Sequence, residues 1–288
     1  MAITASMVKE LRERTGLGMM DCKKALEQSE GDMEKAIEAL RKSSALKAAK
    51  KSGRTTADGL LGVKVAEDGS RGAIVEINIE TDFAAKNEKF VAYVEKVLDA
   101  VFTSEDGDLA ALMAAGLDAE REALVQEIGE NITARRAVLL TSEAGGITSY
   151  LHGDNRKASL VKLSGNNAEI GRDVAMHVTA LAPMVVRGED IPADILAKER
   201  EIYTTQAADS GKPPEIVEKM VEGRVRKFIA EQSLVDQPFV KDPNTKVGAL
   251  AQQAGLEVEQ FVRFEVGEGI EVEEEDFAAE VAAQLKGE

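Results

Sequence analysis

The chain has 288 residues, enough for more than one domain; 44% are hydrophobic but only 4% aromatic, with no Trp, so its cores must be aliphatic. The net charge is −16, and the single cysteine, Cys22, excludes an internal disulfide framework and favours a reducing compartment. Without a signal-peptide pattern or a run of 18 apolar residues, the sequence predicts a cytoplasmic protein with no membrane span.

The charge is unevenly distributed along the chain. Residues 1–54 contain 12 Lys and Arg against 8 Asp and Glu, a net charge of +4, so the rest of the chain carries −20. An acidic body argues against broad nucleic-acid binding. The basic N-terminal segment is a candidate for a separate contact surface.

Residues 1–51 are predicted to form three short helices. Thr4 is a plausible N-cap of the first helix, and Gly16 is expected to end it. A tight loop then carries Met19 and Met20, which fit either a small core or an adaptable binding surface. So small a bundle has little core, and we expect it to work attached to something larger.

The basic stretch 47–54 looks like the tail of the third helix running into a flexible linker. A nucleic-acid patch is the alternative. It is the weaker interpretation, because no aromatic residue alternates with the lysines.

A strand-to-helix corner follows in the next segment. Strands are predicted over 60–65 and 73–80, the second with one buried face and one wet face that carries Glu76. The second strand stops at Thr81-Asp82, and a helical pattern starts near Asn87. Asp82 and Phe83 therefore lie on a surface corner, where they either cap and pack under the helix or present a functional pair.

From residue 60 onward, two successive units share one order of elements: strand, strand, helix, helix, strand. This repetition indicates a weak internal duplication of an α+β subdomain. The later segments are helix 118–128, strands 135–140, 147–151 and 159–163, helices 167–181 and 245–254, and strand 261–266. An antiparallel helical hairpin at about 192–233 interrupts the second copy and is a candidate contact with another chain. In the acidic C-terminal stretch, Phe277, Val281 and Leu285 predict a docking helix.

Motifs for catalysis, metal binding and nucleotide binding are absent from the sequence. His152 and His177 are not spaced as a metal pair, and His177 lies in an amphipathic helix and is expected to be structural. His152 follows a strand at a surface turn, where the residues alone favour a structural role over a functional one. Cys22 faces the inside of a small helix, as a core residue would. If the protein deals with nucleotides, it does so through a partner.

Six stretches together resemble the bacterial elongation factor Ts family, whose members exchange guanine nucleotides on elongation factor Tu. They occur in the family's order and span nearly the whole chain: VKELRERTGLGMMDCKKAL (8–26), TDFAAKN (81–87), SYLHG (149–153), SGKPPEIVEKMVEGR (210–224), QPFV (237–240) and FVRFEVGEGIE (261–271). The resemblance implies an α+β fold without catalytic chemistry or a cofactor of its own. Its expected parts are a three-helix ubiquitin-associated-like domain (1–54), a core N-subdomain (55–140), a core C-subdomain (141–186 and 234–266), the inserted hairpin (187–233) and a C-terminal helical module (267–288).

The resemblance also implies roles for particular residues. Thr81, Asp82, Phe83 and Ala84 would dislocate the magnesium ion of elongation factor Tu, and the family usually has Val where this chain has Ala84. The smaller side chain is expected to weaken local packing while leaving Asp82 and Phe83 in place. The expected contacts with the partner are Arg12, Met19, Met20 and His152.

Two other classes of protein fit parts of the sequence. An adaptor could use the three-helix domain to hold acidic or ubiquitin-like partners, but it would leave the motifs at 81–87 and 210–224 unexplained. A hydrolase would need a nucleophile and base that the motifs do not supply. The resemblance favours a complex with elongation factor Tu, with the hairpin as a candidate for a homodimer or 2:2 contact, and without nucleic acid or membrane as partners.

Overall fold

The computed structural model describes residues 3–208 and 213–271, which form a mixed α+β arrangement. The strands are β1 (Asp58–Val65), β2 (Arg71–Ile79), β3 (Ile132–Thr141), β4 (Ile147–Leu151), β5 (Lys157–Leu163), β6 (Pro238–Phe239), β7 (Asp242–Lys246) and β8 (Val258–Glu265). The helices are α1 (Ala5–Thr15), α2 (Met19–Gln28), α3 (Met33–Lys51), α4 (Asp82–Ala85), α5 (Glu88–Thr103), α6 (Leu109–Leu112), α7 (Asp118–Ile128), α8 (Ala168–Leu181), α9 (Ala193–Ala208), α10 (Pro214–Gln232) and α11 (Val247–Gln253).

The first three helices pack around a small core that includes Leu11, Cys22 and Leu26. The predicted cap at the start of α1 is confirmed, because the Thr4 hydroxyl accepts a hydrogen bond from the Met7 amide at 3.3 Å. Gly16 ends α1 in the left-handed conformation, with φ +72°.

The prediction that the stretch 47–54 begins as the tail of the third helix is confirmed. Helix α3 continues through Lys51 and packs against α7. Gln126 connects α7 to the N-terminal helices: its side-chain carbonyl accepts from the Ser44 hydroxyl of α3 at 2.8 Å, and its side-chain amide donates to Asp21 of α2 at 3.0 Å. The basic residues at the end of α3 therefore belong to a packed helix, a tertiary contact that local composition does not reveal.

Two antiparallel three-stranded sheets form the centre of the fold, ordered β1-β2-β3 and β4-β5-β8. The shared order agrees with the duplication that the sequence predicts. Helices α5 and α7 cover the outer face of the first sheet, and α8 and α11 cover that of the second. Apolar residues of both sheets meet between them, including Ile74 and Leu160.

The wet face predicted for β2 is wrong, because that face packs towards the second sheet. Glu76 and Asn78 are completely buried there. The Glu76 carboxylate accepts hydrogen bonds from Arg135 at 2.9 Å, from Arg136 at 2.5 Å and from the Gly267 amide at 2.9 Å. Alternation along a strand shows which residues share a face, but it cannot show that a second sheet covers the polar one.

Helices α9 and α10 form the inserted hairpin, with Ala207, Val221 and Val225 buried between them. Its predicted contact with another chain stays a prediction, as does the helix of Phe277, Val281 and Leu285, which lies outside the described residues. Over residues 3–208 and 213–271, no helix is long and apolar enough to cross a membrane.

Candidate functional site

The corner between β2 and α5 is built from Thr81 and the single-turn helix α4. The Thr81 hydroxyl caps α4 by accepting a hydrogen bond from the Ala84 amide at 3.2 Å. Asn87 caps α5 in the same way, accepting from the Lys89 amide at 2.9 Å. Since both caps are supplied by other residues, the interpretation of Asp82 as the helix cap is wrong.

Helix α4 presents one pair of residues to solvent and buries the other. Phe83 is 83% exposed, so it does not pack under the helix. Ala84 and Ala85 lie in the core against residues of α5 and the first sheet. An aromatic side chain of this exposure leaves most of its apolar surface available to another molecule.

Asp82 and Phe83 are the two exposed side chains of α4, and we call them the corner pair. Lys86 contacts both of them. Its ammonium donates to the Asp82 carboxylate at 2.8 Å and lies 5.5 Å from the centre of the Phe83 ring. The hydrogen bond from Lys86 lowers the pKa of Asp82, and the charge of Arg156 adds to this. Asp82 is therefore a carboxylate at neutral pH, next to an exposed aromatic ring.

The turn between β4 and β5, which carries His152, packs beside the start of β1. The Leu61 amide donates to the Asn155 carbonyl at 2.8 Å, and Arg156 pairs with Asp58. His152 is exposed, 6.3 Å from Tyr150 between ring centres. The fold thus places the His152 turn near the corner pair, although 69 positions separate His152 from Phe83 in the sequence.

A second exposed apolar surface lies on the N-terminal helices. Met19 and Met20 occupy the first turn of α2 and not the predicted loop, because that helix begins at Met19. They are 60% and 62% exposed, which excludes a core role. Together with Arg12 they line a groove that also includes Val8. We call this surface the methionine groove.

One residue of the corner is absent from the sequence-based expectations. Glu130, in the loop after α7, accepts hydrogen bonds from the Thr81 amide at 3.0 Å and the Thr81 hydroxyl at 2.8 Å. The two residues are 49 positions apart. A glutamate after a helix-ending glycine carries no local signal of such a contact. The contact arises because the end of β2 pairs with the start of β3, Ile79 with Ile132.

The described residues offer little for catalysis or metal binding. No group of three or more His, Cys, Asp or Glu among them could hold a metal ion. His177 is buried and bonded to Gln237 at 2.8 Å and to the Val240 amide at 3.1 Å, as expected of a structural residue. What the exposed surfaces can do is bind another macromolecule.

Comparison with known proteins identifies the family of the chain. The family model described as Elongation factor TS matches residues 80–268. The chain is 60% identical to Elongation factor Ts of Hahella chejuensis over 286 residues, covering 99% of each chain. It is 56% identical to Elongation factor Ts of Saccharophagus degradans over 285 residues, covering 99% of this chain and 98% of the relative.

Proposed function

Because this chain belongs to the elongation factor Ts family, we propose that it is the guanine-nucleotide exchange factor of elongation factor Tu. Its family makes it a factor of translation elongation. In the proposed reaction it binds elongation factor Tu with GDP, displaces the partner's Mg²⁺ and promotes release of GDP, so that GTP can rebind. No covalent bond is formed or broken in this reaction, so the protein acts only by binding elongation factor Tu and needs no cofactor of its own. The proposed location of the reaction is the cytoplasm.

The observation that carries the proposal is the corner pair. Phe83 is 83% exposed on a corner fixed by two caps, beside a carboxylate that is ionised at neutral pH. A magnesium site depends on a few well-placed oxygen ligands. An aromatic ring and a negative charge brought to its edge would disturb those ligands and compete for the ion. In this proposal Thr81 and Ala84 hold the corner pair in place.

In nucleotide exchange, this protein and GDP are two ligands of elongation factor Tu, and each weakens the binding of the other. If this protein lowers the affinity for GDP, GDP must lower the affinity for this protein by the same factor. Shifting a conformational equilibrium from 1:99 to 99:1 requires about 5.5 kcal/mol of differential binding. Burial of one Phe contributes about 1.5–3 kcal/mol, so Phe83 needs help from the lost metal and from other contacts.

We propose that the methionine groove and His152 supply those other contacts. Met19 and Met20 offer adaptable apolar surface, with Arg12 in the same groove to meet an acidic or carbonyl group. The His152 turn lies beside the corner, so one partner surface could meet both. These contacts would add affinity, whereas the corner pair would act on the metal.

The test is release of a fluorescent GDP analogue from elongation factor Tu in excess magnesium, with catalytic amounts of this protein. We expect the wild type to accelerate release. We expect Phe83→Ala to lower the release rate at saturation by about tenfold to about a hundredfold, the range set by burial of one Phe. The half-saturating concentration should change much less, because the other contacts remain.

Leu46→Ala is the matched control, because Leu46 is an exposed apolar residue of α3, outside the proposed contacts. It should behave like the wild type. No acceleration by the wild type would overturn the proposal and favour an adaptor without exchange activity. A Phe83→Ala variant that binds poorly yet releases GDP normally at saturation would contradict the role given to the corner pair.

A further inference from the structure

The loop Gly129–Asn131, which we call the bracket loop, contacts the corner and the end of the N-terminal helices. Glu130 contributes both carboxylate oxygens to Thr81, one to its amide and one to its hydroxyl. Hydrogen bonds to a charged acceptor are stronger than those between neutral groups. Two of them on one residue fix both the backbone and the side chain of Thr81.

The bond to the Thr81 hydroxyl reaches into α4. That hydroxyl donates to Glu130 and at the same time accepts from the Ala84 amide, so Glu130, Thr81 and Ala84 form a chain of hydrogen bonds. A hydroxyl that donates to a carboxylate becomes a better acceptor itself. The order of this single helical turn, which has only four residues, therefore depends on Glu130.

Hydrogen bonds made by both neighbours of Glu130 hold the bracket loop in place. Asn131 is buried, and its amide N–H donates to Glu80 at 2.5 Å. Its side chain donates to the Arg54 carbonyl at 3.0 Å and the Ser52 carbonyl at 3.5 Å, both just after α3. Lys51 also donates to the Gly129 carbonyl.

The same helix that ends in the bracket loop supports the N-terminal helices. α7 packs against α3 and bonds to Asp21 of α2 through Gln126. Met19 and Met20 start that α2 helix, so α7 and its loop connect the methionine groove to the corner pair. The separation of the two surfaces is then set by packed elements and not by a flexible connection.

We propose that Glu130 is a positioning residue for exchange, which orders the corner pair through Thr81 so that it can enter the magnesium site of the partner. The inference rests on the proposed function and adds to it a residue that makes no contact with the metal or the nucleotide. Without Glu130, α4 would have to be ordered at the step in which the corner pair enters the magnesium site, so the rate of release would fall with little change in affinity.

The variants are Glu130→Ala, which removes both acceptors, and Glu130→Gln, which keeps one. Glu120→Gln is the matched control: it neutralises a glutamate of α7, the helix that ends in the bracket loop, and this glutamate pairs with Lys96 away from the corner. The first measurement is hydrogen exchange of the free proteins over residues 80–87. Glu130→Ala should exchange at least about tenfold faster there, a loss of about 1.4 kcal/mol of protection, Glu130→Gln less, and Glu120→Gln no faster than wild type.

The second measurement is GDP release from elongation factor Tu at saturating concentrations of each variant. In excess magnesium, Glu130→Ala should lower the maximal rate by about tenfold with the half-saturating concentration changed less than about twofold, and Glu130→Gln should fall between it and wild type. With magnesium chelated, the difference between Glu130→Ala and wild type should disappear, because there is no ion to displace. A general loss of folding would persist under chelation.

The outcomes separate this inference from the proposed function. Normal acceleration by wild type together with unchanged hydrogen exchange or an unchanged rate in Glu130→Ala would overturn the role of Glu130 alone. A defect that persists without magnesium would also overturn it, since the residue would then be merely structural. No acceleration by wild type would overturn the proposed function, and the exchange role of Glu130 with it.

Discussion

Replacing both Met19 and Met20 with Ala should weaken the complex with elongation factor Tu while leaving the free protein stable. Both side chains are more than half exposed, at 60% and 62%, and Ala is well tolerated in the first turn of a helix. Removing them therefore costs the free protein little. The change in its melting temperature should lie within the error of the measurement.

The loss of affinity follows from the surface that remains exposed. Full burial of a Met side chain contributes about 1.5–3 kcal/mol. With about 60% of each side chain still open, burial by the partner would contribute about 1–2 kcal/mol per residue, or about 2–4 kcal/mol for Met19 and Met20 together. At 1.4 kcal/mol for each factor of ten, the dissociation constant should rise by about 30-fold to about 700-fold.

Titration calorimetry with nucleotide-free elongation factor Tu measures this loss directly. Leu46→Ala is the matched control, because Leu46 is 65% exposed on α3 but lies outside the methionine groove. It should leave the affinity unchanged. A loss of less than about threefold for the double variant, or an equal loss for Leu46→Ala, would refute the role given to the groove.

Two further predictions concern the stability of the free protein. Glu76→Gln should lower the free energy of unfolding by about 2–4 kcal/mol, measured by chemical denaturation, because it leaves Arg135 and Arg136 without their buried carboxylate. Thermal stability should fall as the pH decreases from about 7 to 5, because burial lowers the pKa of His177 in the folded state below its ordinary value. The unfolded chain then binds the proton more readily, so the contribution of neutral His177 is present above about pH 6.5 and is lost below it.

Each of these predictions has a control. For Glu76, the exposed Glu38→Gln should cost almost nothing, since Glu38 pairs with Lys42 on the protein surface; an equal cost for both would contradict the buried network. For His177, an Asn can still accept from the Val240 amide without titrating, so His177→Asn should flatten the pH dependence. An unchanged pH dependence in His177→Asn would assign it to other groups.

The local elements could be predicted from the sequence, because caps and periodicity act over a few residues. Thr4, Gly16 and the bounds of α7 are examples. Glu76 was misplaced, since its polar character suggested water where a second sheet and two arginines lie. Glu130 was missed for a related reason: its partner Thr81 is distant in sequence, and a hydrogen bond between distant loops leaves no pattern in either.

The proposed exchange reaction requires the methionine groove and the corner pair to play different energetic roles. A contact that forms equally well with the magnesium-bound and magnesium-free partner raises affinity but shifts no equilibrium between them. The methionine groove is such a contact if it meets the partner away from the nucleotide. In the proposed mechanism the corner pair differs, because the exposed Phe83 and the carboxylate of Asp82 would be accommodated fully only after the ion has left. On this proposal, affinity from the groove would be converted into exchange only if the corner could not move aside, and the bonds from Glu130 to Thr81 would hold it there.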